Sequence, residues 1–210
     1  MRLVVENLTR SFGARRIFGP LSFEVPAGTV LGVAGSNGSG KTTLLRTLAG
    51  LIRPTGGSTK IFLESEPGKE PGGRDPRDST FCIGWCAPDL SLYGELTAEE
   101  NLIFFERVRG RGNGPSRATT LLAEVGLPAD SYSKKSLGAL STGQRQRVKL
   151  AYATLHSPAV LFLDEPSSNL DADGVDVVAR VVAAQRTRGI AVIASNDPRD
   201  LALTDTRISL

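Results

Sequence analysis

Gly35-Ser36-Asn37-Gly38-Ser39-Gly40-Lys41-Thr42 constrains this chain more than any other stretch. It fits the pattern G-x-x-x-x-G-K-[ST]. An apolar run, Val30 to Ala34, comes directly before it and reads as a buried strand. A helical stretch, Thr43 to Ala49, comes directly after it, and Gly50 closes that helix. Strand, glycine-rich loop and helix in that order make an anion cradle. Gly35, Gly38 and Gly40 permit backbone angles that side chains forbid, so the N–H groups of Ser36 to Gly40 can curl around a phosphate. The following helix, with Thr43 in its first turn, points its positive end at the same anion. Lys41 adds a full charge with the reach of the outer two phosphates of a nucleotide, and the Thr42 hydroxyl is placed to ligate Mg²⁺.

Composition narrows the frame. A chain of 210 residues is long enough for one domain with a full core, with room for a lobe. A net charge of +3, with Lys and Arg scattered along the chain, gives no ground for a nucleic-acid partner. Cys82 and Cys86 have no second pair or histidine nearby, so they read as two reduced thiols in or near a strand, as in a cytosolic protein, rather than as a zinc site. No apolar run approaches the ~20 residues needed to cross a bilayer, and the first residues do not read as a signal peptide. Membrane contact is therefore expected only through a partner.

In chain order, Arg2 to Glu6 and Leu21 to Val25 alternate as strands, and Phe12 falls in the loop between them, where it can stack on a nucleotide base or turn into the core. Ile61 to Leu63 is a short strand. Ser65 to Ser79, rich in Gly, Pro and charge, is expected to be a mobile surface loop without chemistry. Phe81 to Trp85 returns to strand character. Thr97-Ala98-Glu99-Glu100 is a capping box that opens a helix. A loop at Gly110 to Pro115 separates it from a second helix opening at Ser116. A third helix starts at Ser141 and stops before Pro158. Three successive helices with no strand between them interrupt an alternating α/β chain. They predict a helical lobe, roughly residues 87–157, inserted in a nucleotide-binding core made of 1–86 and 158–210.

Ala159 to Leu163 is the next buried strand, and it runs straight into Asp164-Glu165-Pro166. An apolar strand ending in an acidic pair supplies what a phosphate loop needs opposite it. Asp164 can hold Mg²⁺, and Glu165 can accept a proton from an attacking water. Val175 to Arg188 is an amphipathic helix, and Ile190 to Ala194 is the last clear strand, with right-handed crossovers implied by the parallel order.

Four further stretches carry a family resemblance. They are Leu140-Ser-Thr-Gly-Gln144, Val160 to Pro166, Ser168-Asn-Leu-Asp171 and the segment Tyr93 to Leu102. With the phosphate loop, and in this order, they resemble the nucleotide-binding subunits of ABC transporters along essentially the whole chain. The resemblance implies an α/β P-loop NTPase fold of the ABC ATPase type, with an N-terminal antiparallel β subdomain and the helical lobe. It implies ATP and Mg²⁺ as cofactors and a second ATP-binding subunit paired head-to-tail, each site taking its phosphate loop from one chain and the helix at Ser141 from the other. Ser141, Gly143 and Gln144 would then meet the γ-phosphate held by the partner. Ser141 also reads as an ordinary N-cap, and both roles are compatible because a cap gathers a hydroxyl and free N–H groups. Transmembrane permease subunits would dock at the loop preceding Tyr93, placing the chain on the cytoplasmic face of the membrane. Arg145, Arg147 and Lys149 read as a solvated helix face.

Two positions depart from the family pattern. Its Mg²⁺-ligating Gln is replaced by Pro88, followed by Asp89, so that ligand is missing or supplied by Asp89. The His after the last strand, which contacts the γ-phosphate, is replaced by Asn196. Asn donates a hydrogen bond through its amide but cannot take up a proton or carry charge. His156, the only histidine, reads as a surface residue. These changes leave two readings: hydrolysis at a reduced rate with Glu165 as base, or an ATP-driven clamp. The phosphate-loop sequence, "DADGV" at 171–175 and the ending "RISL" are similar to the ATP-binding subunit of the haem exporter of cytochrome c maturation. The rival class is an ABC ATPase without a membrane partner, acting in iron–sulfur assembly, translation or DNA repair.

Overall fold

The computed structural model describes residues 1–63, 72–78, 82–110, 115–128 and 135–210. Its strands are β1 (Arg2–Phe12), β2 (Arg15–Pro26), β3 (Val30–Ala34), β4 (Gly56–Phe62), β5 (Ile83–Cys86), β6 (Val160–Asp164), β7 (Ile190–Ser195) and β8 (Thr206–Ser209). The helices are α1 (Lys41–Leu48), α2 (Ala98–Val108), α3 (Pro115–Glu124), α4 (Thr142–Thr154), α5 (Ala172–Arg186) and the short α6 (Pro198–Leu201). An antiparallel sheet runs β2-β1-β4, and a parallel sheet runs β5-β6-β7-β3-β8.

The antiparallel strands are longer than the sequence alternation indicates, for a definable reason. The β1–β2 register shifts between Val5 and Leu8 and twice more before Phe12. Each shift breaks the period of two, so the pattern read from sequence stops at Glu6 although pairing continues. Phe12 is therefore the last residue of β1 rather than part of a loop. β4 likewise begins at Gly56, ahead of Ile61, where the sequence indicates its start. Gly57 (φ +75°) lies so close to β1 that a Cβ would stand 2.3 Å from the Asn7 carbonyl oxygen. Part of the expected loop at 65–79 is also held in place. Ile61 and Arg74 exchange backbone hydrogen bonds of 2.8 and 2.9 Å, and Pro76–Asp78 forms a 3₁₀ turn. The rest of that loop, and Phe81, lie outside the described residues.

The parallel sheet is apolar on both faces, as βαβ packing requires. Val160, Phe162 and Val192 face the layer containing β1, β2 and α1, while Leu161, Leu163 and Ile193 face α2, α3, α4 and α5. The helices between β5 and β6 begin where the caps predict: Thr97 and Ser141 each form a capping box, with Glu100 and Gln144. β8 escapes the sequence reading, which took Ile190 to Ala194 as the last clear strand. Thr206, Arg207 and Ser209 are polar, Ile208 is its sole apolar residue, and it pairs only with β3, at the sheet edge. No described helix is long and apolar enough to cross a membrane.

Candidate active site

Register brings the chemistry together. Ala34 of β3 lies opposite Ser195 of β7, and Ala194 lies opposite Asp164 of β6. The carboxyl ends of three neighbouring parallel strands thus place the loop 35–40, the acidic pair and the Ser195-Asn196 turn side by side, the position at which open α/β sheets bind ligands.

The loop 35–40 is built by steric exclusion as much as by flexibility. A Cβ on Gly35 would stand 2.5 Å from the Ser39 hydroxyl. Gly40, the N-cap of α1 at φ +107°, abuts Ile17 of β2, whose Cγ2 would lie 2.6 Å from a Cβ there. The Ser39 amide closes a turn onto the Ser36 carbonyl at 3.2 Å. Lys41 is buried, and its Nζ donates to the carbonyls of Gly35 (2.8 Å) and Ser36 (3.2 Å) while standing 3.6 Å from Glu165 Oε1. Its charge is thereby held over the loop. Thr43 continues the helix, and its carbonyl accepts from the Thr47 hydroxyl at 2.7 Å.

Thr42 Oγ1 donates to Asp164 Oδ2 at 2.7 Å. Asp164 is almost fully buried, its other oxygen Oδ1 has no partner among the described residues, and burial pushes its carboxyl above the ordinary range. A buried carboxylate oxygen without a donor beside a hydroxyl is a donor set suited to a hard divalent cation such as Mg²⁺. Glu165 sits in the left-handed region at φ +46°, a conformation that costs a non-glycine residue about 1–2 kcal/mol. Its amide donates to the Ala194 carbonyl at 2.8 Å, which fixes the turn, and its side chain emerges toward Lys41.

Three residues unforeseen from sequence support Glu165. Ser195 Oγ lies 2.9 Å from Glu165 Oε2 and 2.7 Å from Asp200 Oδ2, and it accepts the Asp197 amide at 3.0 Å. The Ser167 hydroxyl donates to Asp200 Oδ1. The only sequence signal was the run of polar residues directly after an apolar strand. Asn196 is oriented through the loop itself, its Nδ2 donating to Asn37 Oδ1 at 3.0 Å.

The helix at Ser141 stands apart from this cluster. Ser141, Gly143 and Gln144 line a separate cleft of ≈ 420 Å³ with Gly126, Arg147, Asn169 and Asp171. Ser141 Oγ accepts the Gln144 amide at 3.2 Å, as an N-cap does. Phe12 is half exposed, with the Arg10 guanidinium 4.2 Å from its ring centre, so it is not a core residue.

Three readings need correction. The basic residues of α4 are half-buried rather than freely solvated: Arg147 pairs with the exposed Asp171 at 2.7 Å, and Lys149 donates to the Pro88 carbonyl at 2.6 Å. His156 is not a surface residue but half-buried, its Nε2 2.8 Å from the Ile83 carbonyl and its ring against the Arg109 guanidinium. Asp89 is drawn to Arg46 of α1 at 2.6 Å. β5 ends at Cys86 in register with Leu163, so Ala87, fully buried, is the residue beside Asp164. Neither Ala87 nor Pro88 has a side-chain acceptor.

A family model described as "ABC transporter" matches residues 18–168. The cytochrome c biogenesis ATP-binding export protein CcmA of Rhizobium meliloti is 36% identical over 203 residues, covering 96% of this chain and 94% of that protein. The CcmA 2 protein of Salmonella paratyphi A is 38% identical over 200 residues, covering 90% and 91%. Among solved structures, a dimeric bacterial ABC transporter cassette superposes with a TM-score of 0.84 at 22% identity, covering 99% of this chain and 94% of that one, a likeness of fold.

Proposed function

Since the chain belongs to the ABC transporter family as an ATP-binding and hydrolysing subunit, we propose that it pairs head-to-tail with a second copy and powers a membrane permease that exports haem for cytochrome c maturation. One observation carries the site assignment: Lys41, Thr42, Asp164 and Glu165 converge at one end of the parallel sheet, linked by contacts of 2.7 and 3.6 Å. Ser36 to Gly40 and Thr43 surround the phosphates, and Lys41 exchanges its loop carbonyls for the β- and γ-phosphates. Thr42 and Asp164 hold Mg²⁺, which neutralises phosphate charge when bound. Glu165 takes a proton from water as the water oxygen bonds to the γ-phosphorus and the bond to ADP breaks. Asn196 and Asn37 orient the γ-phosphate by neutral hydrogen bonds, and Phe12 stacks on the base through its open face. Ser141, Gly143 and Gln144 complete the partner's site.

The permease meets the groove formed by Pro88 to Leu92, Gly94 and Leu137, beside the exposed rings of Tyr93 and Phe104. That contact holds the chain peripherally at the cytoplasmic face. The export assignment rests on the two CcmA relatives, which match nearly end to end. Two measurements test the reading. Lys41→Ala should weaken ATP binding by about 10- to 150-fold, the loss of a charge-assisted contact, with the fold intact. The same variant in cells should abolish covalent haem on c-type cytochromes. Unchanged ATP affinity removes the phosphate-loop assignment, and normal c-type cytochromes remove the export assignment.

A further inference from the structure

Ser195 has one hydroxyl hydrogen and three polar neighbours. Its oxygen accepts the Asp197 amide at 3.0 Å and stands 2.9 Å from Glu165 Oε2 and 2.7 Å from Asp200 Oδ2. With both carboxylates ionised, that hydrogen can serve only one of them, and the other contact sets a lone pair against an anion. Asp200 is fully buried, and its Oδ1 is already taken by the Ser167 hydroxyl. An anion in such a place, bridged to a second anion by a single hydroxyl, is costly.

We infer that Asp200 carries a proton on Oδ2, donates it to Ser195, and so directs the Ser195 hydrogen at Glu165 Oε2, making Asp200 and Ser195 positioning residues for that carboxylate. The inference rests on the assignment of Glu165 as base. Every donor and acceptor then matches. Ser195 Oγ accepts twice, from Asp197 and Asp200, and donates once. Asp200 accepts from Ser167 and donates to Ser195. Glu165 has Oε2 committed, which leaves Oε1, the oxygen on the Lys41 side, to receive the proton from water.

The charged groups on the surrounding elements favour this arrangement. Asp164 ends β6 and Glu165 follows it, Asp197 lies in the same turn as Asp200, and the cations are Arg199, paired with Asp197, and Lys41 beyond Glu165. Burial most strongly pushes the Asp200 carboxyl up and the Asp197 charge adds to it, against the hydroxyls of Ser167 and Ser195 and the Ser167 backbone amide, and the net direction is upward.

Asp200→Asn reproduces the protonated carboxyl, one donor toward Ser195 and one acceptor toward Ser167. A carboxyl whose folded value is raised contributes stability that is present below its unfolded value and lost as pH rises. Wild type should therefore lose melting temperature relative to Asp200→Asn as pH rises from about 4 toward 7; a gap that stays constant with pH overturns the inference. In steady-state ATPase assays of the purified chain, Asp200→Ala and Ser195→Ala should lower kcat about 5- to 10-fold with KM for ATP unchanged, and Asp200→Asn should recover most of that loss. Asp200→Asn as impaired as Asp200→Ala also overturns it. Glu165→Gln separates the two failures. If that variant turns over like wild type, the base assignment falls and takes the inference with it. If it is inactive while the stability gap is flat, only the inference falls.

Discussion

At the residue scale, Asn196 is the sharpest departure from its family and the easiest to weigh. Its Nδ2 donates to Asn37 of the loop 35–40, so it is held against that loop, where the proposed γ-phosphate contact would place it. A neutral hydrogen bond contributes about 0.5–1.5 kcal/mol, and Asn196→Ala should slow ATP turnover by about 2- to 13-fold. Removing the base should cost about 10²-fold or more, so Glu165→Gln should be far slower. Steady-state rates of the two variants beside wild type decide the matter. If Asn196→Ala is as slow as Glu165→Gln, the amide does more than a neutral positioning group can.

At the element scale, β3 must be held at its start as firmly as at its end, because the loop that leaves it has no room to shift. Asp205, just before β8, does this. Its Oδ2 accepts the Val30 amide at 2.7 Å and its Oδ1 takes Arg186 at 2.9 Å. The Val30 amide above all, then Arg186, holds the Asp205 carboxyl below the usual range despite some burial. The folded value being depressed, this stabilisation is present above the unfolded value near 3.9 and lost as pH falls through the lower folded value. The side chain is 38% exposed, so screening limits the gain to about 1 kcal/mol. Asp205→Asn should melt lower than wild type at pH 7, and the difference should close below pH 4. Thermal melts across that range check it, and a difference independent of pH assigns the stabilisation to something other than the charge.

At the scale of the whole molecule, the phosphate loop meets Asp164 at the end of the parallel sheet, while Ser141 lines a cleft that no residue of that loop enters. In the head-to-tail pairing proposed above, a second copy would complete a site that needs both. Glu165→Gln keeps the binding groups and removes the base, so with ATP and Mg²⁺ it should elute as a dimer in size-exclusion chromatography, while wild type returns to monomer after hydrolysis. Glu165→Gln that stays monomeric at high concentration and saturating ATP counts against the head-to-tail pairing.

The order of elements, both helix caps and the phosphate loop with its acidic partner were legible in the residues themselves, because each rests on local chemistry. Val30 to Ala34 must be buried, Gly40 must turn, and Thr97 and Ser141 must cap, whatever the rest of the chain does. The extent of β1 and β4 was not legible, since bulges at Asn7 and Gly57 hide pairing from any periodic pattern. Nor was β8, a polar edge strand whose only reason to exist is its neighbour β3. The support of Glu165 is the clearest case. Ser167, Ser195 and Asp200 are unremarkable singly, and only the register of β6 against β7 places one hydroxyl between the half-buried carboxyl group of Glu165 and the buried one of Asp200. Sequence determined which groups can bind phosphate and take a proton; the tertiary structure decided which hydrogen bonds each of them makes, because those contacts form across the sheet rather than along the chain.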